Sequence, residues 1–167
     1  MTAILIRPLH EDDWAAFRAI RLRALQSAPG VFATSYAEAA ARPESQWRWT
    51  ISGVDHQVFG LFDAAALIGI TAIFRDSEDP SGATAMLAMS FIEPEYRGRR
   101  LSRLFYEARL AWARAHGGFR RIAVSHRASN EASRRANQRH GFTLTGSAPR
   151  TWPDGVTEDE ISYELLL

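Results

Sequence analysis

The sequence predicts a mixed α/β domain in which a sheet is flanked by helices. Two observations predict it. Strand-like and helix-like patterning follow one another in the order β-α-α-β-β-β-α-β-α-β-β. The most regular helix of the chain holds Leu101, Leu104, Phe105, Ala108, Ala111, Trp112 and Ala115 at i, i+3, i+4, i+7 spacing, and it directly follows an apolar strand over residues 83–93.

Residues 4–9 alternate apolar and polar side chains in part and read as the first strand. Glu11, Asp12 and Asp13 put negative charge where a helix N-terminus favours it, and Trp14, Phe17, Ile20 and Ala24 continue at helical spacing. Pro29-Gly30 ends that helix. Residues 31–52 hold Phe32, Tyr36, Trp47 and Trp49 and are broken by Pro43, so they read as a loop with one or two short helices. Residues 57–63 and 66–75 read as two strands joined by a tight turn, and 76–82 are rich in turn formers. The strand over 83–93 stops at Pro94. The regular helix closes at Gly117-Gly118, because glycine accepts the left-handed position past a helix end. Residues 121–125 read as a short strand. Residues 130–140 read as a helix with a small-residue stripe and a basic face, closed by Gly141. Residues 142–147 and 160–167 read as the last two strands.

The 167 residues show no internal repeat and no Pro/Gly/Ser-rich linker, so residues 1–167 are expected to form one domain. The apolar fraction, 46%, is ordinary for a chain that buries a core. Charges nearly cancel at +1, which argues against a dedicated nucleic-acid partner. There is no cysteine, which excludes disulfides, thiolate metal sites and a cysteine nucleophile, and fits a reducing cytosol. The apolar run at the start is too short for a signal-peptide core or a membrane span, and no other stretch approaches spanning length. A cytoplasmic protein with no membrane partner is expected. His10, His56, His116 and His140 lack metal-ligand spacing, so no metal is expected.

The chemistry points to the turn between strand 83–93 and the regular helix. The first amides of a helix lack internal partners, and the helix dipole adds positive charge beside them. Together they make a phosphate site. Gly98 lets the backbone come close, and Arg97, Arg99, Arg100 and Arg103 add charge. The turn alone supports two readings, an anion site or a solvated basic turn that caps a helix. The Walker lysine signature and the three-glycine dinucleotide fingerprint are both absent.

The run Phe91-Ile92-Glu93-Pro94-Glu95-Tyr96-Arg97-Gly98-Arg99-Arg100-Leu101-Ser102 resembles the coenzyme A motif of the GNAT superfamily of N-acetyltransferases. A second piece is similar to that family's partner motif: Val124, then Asn130-Glu131-Ala132-Ser133, then His140-Gly141-Phe142. The element order fits over nearly the whole chain. The resemblance implies a mostly antiparallel, splayed central sheet flanked by helices, with acetyl-CoA as acyl donor. It implies that the pantetheine arm pairs along Phe91 and Ile92, that the pyrophosphate lies on the amides from Arg97 to Arg103, and that Asn130 and Ser133 face the cofactor. Two positions depart from the pattern. Arg100 stands where the family has its first motif glycine, with Ser102 at the second small position. Asn137 stands where many members carry the tyrosine that protonates the leaving thiolate; asparagine cannot be that acid, although it can hydrogen-bond the sulfur.

Acyl transfer needs a neutral amine, a donor to the oxyanion and a route for the thiolate to leave. The resemblance assigns the oxyanion to a backbone N–H near Ile92. No carboxylate lies on strand 83–92. The candidate base is His126, an imidazole being able to take a proton near neutral pH, with Ser125 as a relay or a plain strand residue. Residues 31–52 are the candidate acceptor wall through Phe32, Tyr36 and Trp47, which also read as core or lid residues. The acceptor is expected to be an amine of a small molecule or a peptide. A non-catalytic acyl-CoA-binding regulatory module is the alternative, motivated by Asn137 and the missing base. The resemblance also allows a homodimer, with the long final strand taking part.

Overall fold

The computed structural model describes residues 3–167, so Met1 and Thr2 of the expected domain lie outside the described residues. Its strands are β1 (Ile4–Pro8), β2 (His56–Asp63), β3 (Ala66–Arg75), β4 (Thr84–Ile92), β5 (Arg121–Arg127), β6 (Thr143–Thr151) and β7 (Thr157–Leu166). Its helices are α1 (Trp14–Ser27), α2 (Tyr36–Ala40), α3 (Glu44–Ser52), α4 (Ser102–His116) and α5 (Glu131–Arg139). They form one seven-stranded sheet in the order β1-β2-β3-β4-β5-β7-β6. Every pair is antiparallel except β4 with β5, which is parallel. The fold is the mixed α/β architecture expected from the sequence.

Local chemistry sets the helix ends. Asp13 accepts the His10 N–H at 2.8 Å and pairs with Arg7, fixing the entry to α1. Ser35 and Glu38 bond each other's backbone N–H groups in a capping box that starts α2. Pro43 lies just before α3 and separates it from α2. Gly117, at φ +74°, ends α4, and Asn130 caps α5 by accepting the Ser133 N–H.

The sheet buries both faces. On one side α1 and α3 supply Phe17, Ile20, Leu25, Trp47 and Ile51 against Val58, Ile70, Ala72 and Phe91. On the other, Ile73, Ala85, Leu87, Ile122 and Tyr163 pack with Tyr106 and Ala113 of α4 and with Phe142. Alternation along β3 places Ala72 in the first layer and Ile73 in the second.

The C-terminal part differs from the sequence expectation in two ways. β5 runs on to Arg127, so His126 lies within a strand that pairs along its full length with β7. β6 continues past 147, the expected end, to Thr151 through Pro149. Proline is tolerated there because β6 is an outer strand of the sheet. The final strand lies between β5 and β6. Among the described residues no helix is long and apolar enough to cross a membrane.

Phe17 is fully buried and meets Trp47 edge-on, with ring centroids 5.6 Å apart. Phe17→Ala should lower the unfolding free energy in urea by about 3–5 kcal/mol. A loss below about 1 kcal/mol would mean that this layer is not packed as described.

Candidate functional site

β4 and β5 part company after three paired positions, the last being Met86 with Ala123. Beyond that point β4 stays with β3 and β5 with β7. A register shift between Ile70 and Ala72 marks a bulge in the β3–β4 pairing, and Met89 there takes φ +58°. The parting opens two cavities, of about 310 Å³ and about 480 Å³. The first is walled by α4 and α5, through Tyr106, Arg109, Ala132 and Asn137. The second is walled by α1 and α3, through Phe17, Arg21 and Trp47. Both are bounded by Phe32, Met89, Ser125 and His126, so they meet in the gap between β4 and β5.

The arginine turn stands at the mouth of the first cavity. Arg97 and Ser102 line it. Leu101 caps α4 without a side-chain hydrogen bond. The backbone N–H groups of Gly98 through Ser102 find no partner among the described residues. Gly98 has φ +78° and Arg100 φ +58°, so the chain alternates hand on its way into the helix and presents successive amides on a concave surface. Arg100 thus holds the left-handed conformation that glycine adopts without strain. The side chains point to other tasks. Arg97 Nε donates to the Ile92 carbonyl at 2.8 Å, Arg99 donates to the Glu95 carbonyl, and Arg103 pairs with Glu107. Asn130 and Ser133 line the cavity from α5, and Phe91 and Ile92 line it from β4.

Deeper in, Asn137 is 1% exposed. The Tyr106 hydroxyl donates to its Oδ1 at 2.6 Å, and its Nδ2 is buried with no hydrogen-bond partner. Tyr106 stacks on His140 with centroids 3.9 Å apart. Burial pushes the Tyr106 phenol up, and the neighbouring Arg109 opposes that shift. Arg109 is itself buried; it donates to the Phe105 carbonyl and to Ser90 Oγ at 3.0 Å, and burial pushes its guanidinium down to about 10. It stays charged at neutral pH and leaves the cavity floor positive.

His126 is 5% exposed. Its Nδ1 lies 2.7 Å from the Arg127 carbonyl, which can only accept, so Nδ1 carries the proton and Nε2 has the lone pair. Nε2 is 3.4 Å from the Tyr163 hydroxyl. Ser125 faces the other way and donates to Glu160 at 2.6 Å; Glu160 is also held by Arg150. Glu93 pairs with Arg23 of α1, away from both roles.

In the second cavity Phe32 and Trp47 are lining residues, as the sequence suggested. Trp47 is also core, with its indole N–H given to the Arg42 carbonyl. Tyr36 is exposed on α2 and lines neither cavity. Sequence reading missed Tyr106, Arg109, Arg21, Arg150 and Glu160. Tyr106 and Arg109 are buried on α4 but stand outside the apolar series that the sequence singles out there, so no local signal marked them.

The family model of the acetyltransferase (GNAT) domain matches residues 3–143. A GNAT-family acetyltransferase from Streptococcus pneumoniae superposes with TM-score 0.80 at 23% identity, covering 99% of this chain and 100% of that one. Salmonella typhimurium yncA, solved with its cofactor acetyl-CoA, gives TM-score 0.82 at 19% identity over 99% and 95%. A ribosomal-protein-alanine N-acetyltransferase from Brucella melitensis gives 0.80 at 18% over 98% and 99%. At such identities the superpositions establish the fold. No curated protein matches the chain.

The turn's geometry separates backbone from side-chain binding. Gly98→Pro removes an amide and also forbids the φ of +78° that the turn takes there, so it should weaken coenzyme A binding in calorimetry by about tenfold or more. Arg100→Gly keeps every amide and should leave the affinity within about twofold. The reverse order would mean that the arginine side chains hold the phosphates.

Proposed function

The chain belongs to the GNAT acetyltransferase family, and from that premise we propose that it passes the acetyl group of acetyl-CoA directly to a primary amine, with the donor entering from one face of the sheet and the acceptor from the other. The observation that carries this reading is the meeting of the two cavities in the gap between β4 and β5. The residues present fit coenzyme A. Unpartnered amides from Gly98 to Ser102 suit its pyrophosphate, and the open edge of β4 suits its amide-bearing arm. The buried, partnerless Asn137 Nδ2 offers a donor at the deep end.

Acetyl-CoA supplies an acetyl group activated as a thioester. The amine nitrogen forms a bond to the acetyl carbon, and the carbon–sulfur bond breaks. His126 Nε2 takes the proton that the amine loses. A backbone N–H on the open edge of β4 steadies the oxyanion. The thiolate leaves toward Tyr106, whose hydroxyl gives it a proton, with the Arg109 charge beside it. In this chain the acid comes from α4 and meets Asn137, which holds the place where relatives carry their own tyrosine. The alternative of a non-catalytic acyl-CoA-binding module rested on the absence of an acid and a base. Tyr106 and His126 fill those two roles, which favours catalysis.

Incubation with acetyl-CoA and a broad panel of small amines and peptides should release coenzyme A thiol in proportion to a particular amine. Tight acetyl-CoA binding with no turnover on any amine would contradict the proposal. Tyr106→Phe should lower kcat by roughly 10²–10⁴-fold at nearly unchanged acetyl-CoA affinity. Because the phenol must be protonated to act and burial raises it, the wild-type rate should fall only on the alkaline side of the range of a free tyrosine. That alkaline limb should vanish in Tyr106→Phe; a limb that persists unchanged would assign the proton to another group.

A further inference from the structure

We infer that the second cavity is built for an amine that also carries a carboxylate, seated on the buried Arg21 guanidinium with Arg42 beside it. The inference rests on the reading of that cavity as the acceptor site. Arg21 projects from α1 and is 5% exposed, yet it lines the cavity. Its Nη1 is buried without a hydrogen-bond partner. Among the described residues no carboxylate pairs with it, and the charge that acts on it is a second cation, Arg42, which also lines the cavity. The face of Phe32 lies 4.6 Å from the guanidinium carbon, which eases the charge without using its N–H donors.

Buried arginines in folded proteins are ordinarily paired, because an uncompensated charge away from water is costly. The protein's own acids are committed elsewhere. Glu38 holds the Ser35 cap of α2. Glu160, which lines the same cavity from β7, is bound by Arg150 and Ser125. The helical layer therefore brings two cations to the cavity; Arg42 has the Glu38 charge near it, whereas Arg21 has no carboxylate, and burial together with Arg42 moves Arg21 down only to about 10, so it is charged at neutral pH. The missing partner is an anion delivered by the ligand. A planar guanidinium matches a carboxylate with two parallel hydrogen bonds. The volume of about 480 Å³ accommodates a molecule of amino-acid size. With its carboxylate on Arg21, such a molecule has Ser125 and His126 at the border with the first cavity to receive its amine.

The test compares acetyl transfer to L-amino acids with transfer to the matching amino acid amides, read as free thiol, for the wild-type chain, Arg21→Leu and Arg21→Lys. The wild type should use at least one amino acid with a kcat/KM about 100-fold or more above that of its amide. Arg21→Leu should lose that preference, chiefly through KM, and Arg21→Lys should keep part of it. Calorimetric titration with acetyl-CoA reports whether each variant is folded. Should Arg21→Leu fail to fold, the wild-type pair and Arg21→Lys still decide. Equal use of acids and amides, or a preference that survives in Arg21→Leu, overturns the inference and leaves acetyl transfer standing. No turnover with either class overturns the inference, while acetyl transfer itself then stands or falls on the broad amine panel.

Discussion

The separation of β4 from β5 after Met86 and Ala123 is the constraint from which the rest of the site follows. A sheet that stayed paired would have no opening at its centre. Each strand keeps its outer neighbour, so the parting leaves β5 fully bonded to β7 and β4 bonded to β3. The bulge at Met89 absorbs the change of direction. What remains is one strand edge with unspent hydrogen-bonding groups, facing a gap that both layers of the protein can reach. The chain leaves that edge through Pro94 and turns into α4, so the unpartnered amides of the helix start lie at the entrance of the same gap.

Charge is distributed around the gap in a way that packing alone does not explain. Arg109 and Arg21 are both buried, on opposite sides of the sheet, and neither has a carboxylate partner among the described residues. Arg109 is satisfied by a carbonyl and a hydroxyl, and in the proposed reaction it stands beside the departing thiolate. Arg21 has a donor left over. A core built for stability would replace such groups with apolar ones. Their retention reads as provision for negative charge that arrives with the substrates.

Much of this was legible in the sequence, for identifiable reasons. The rhythm of α4, the stop at Pro94 and the glycine at position 98 are local signals, and they located the turn with its unpartnered amides and the helix that follows. Arg100 looked like a defect in the turn; its φ of +58° shows the chain holding an arginine in a glycine's conformation, with the amide still presented. The proposed acid was not legible, because it rests on the contact between Tyr106 and Asn137, 31 residues apart. Tyr106 stands outside the apolar series of α4 and carries no mark of its own, and Asn137 alone reads as a loss. The unpaired state of Arg21 was hidden for the same reason: no local pattern reports which partner a side chain lacks. The β6–β7 hairpin runs beyond the strand expected over 142–147, and Pro149 is carried there because β6 is an outer strand.

The most direct measurement is a crystal structure of the protein with coenzyme A. The account predicts the sulfur in the gap between β4 and β5, within roughly 3.5 Å of the Tyr106 hydroxyl or of Asn137 Nδ2. It also predicts the pyrophosphate on the amides from Gly98 to Ser102. A sulfur lying elsewhere, with Tyr106 still closed onto Asn137 and out of its reach, would contradict it.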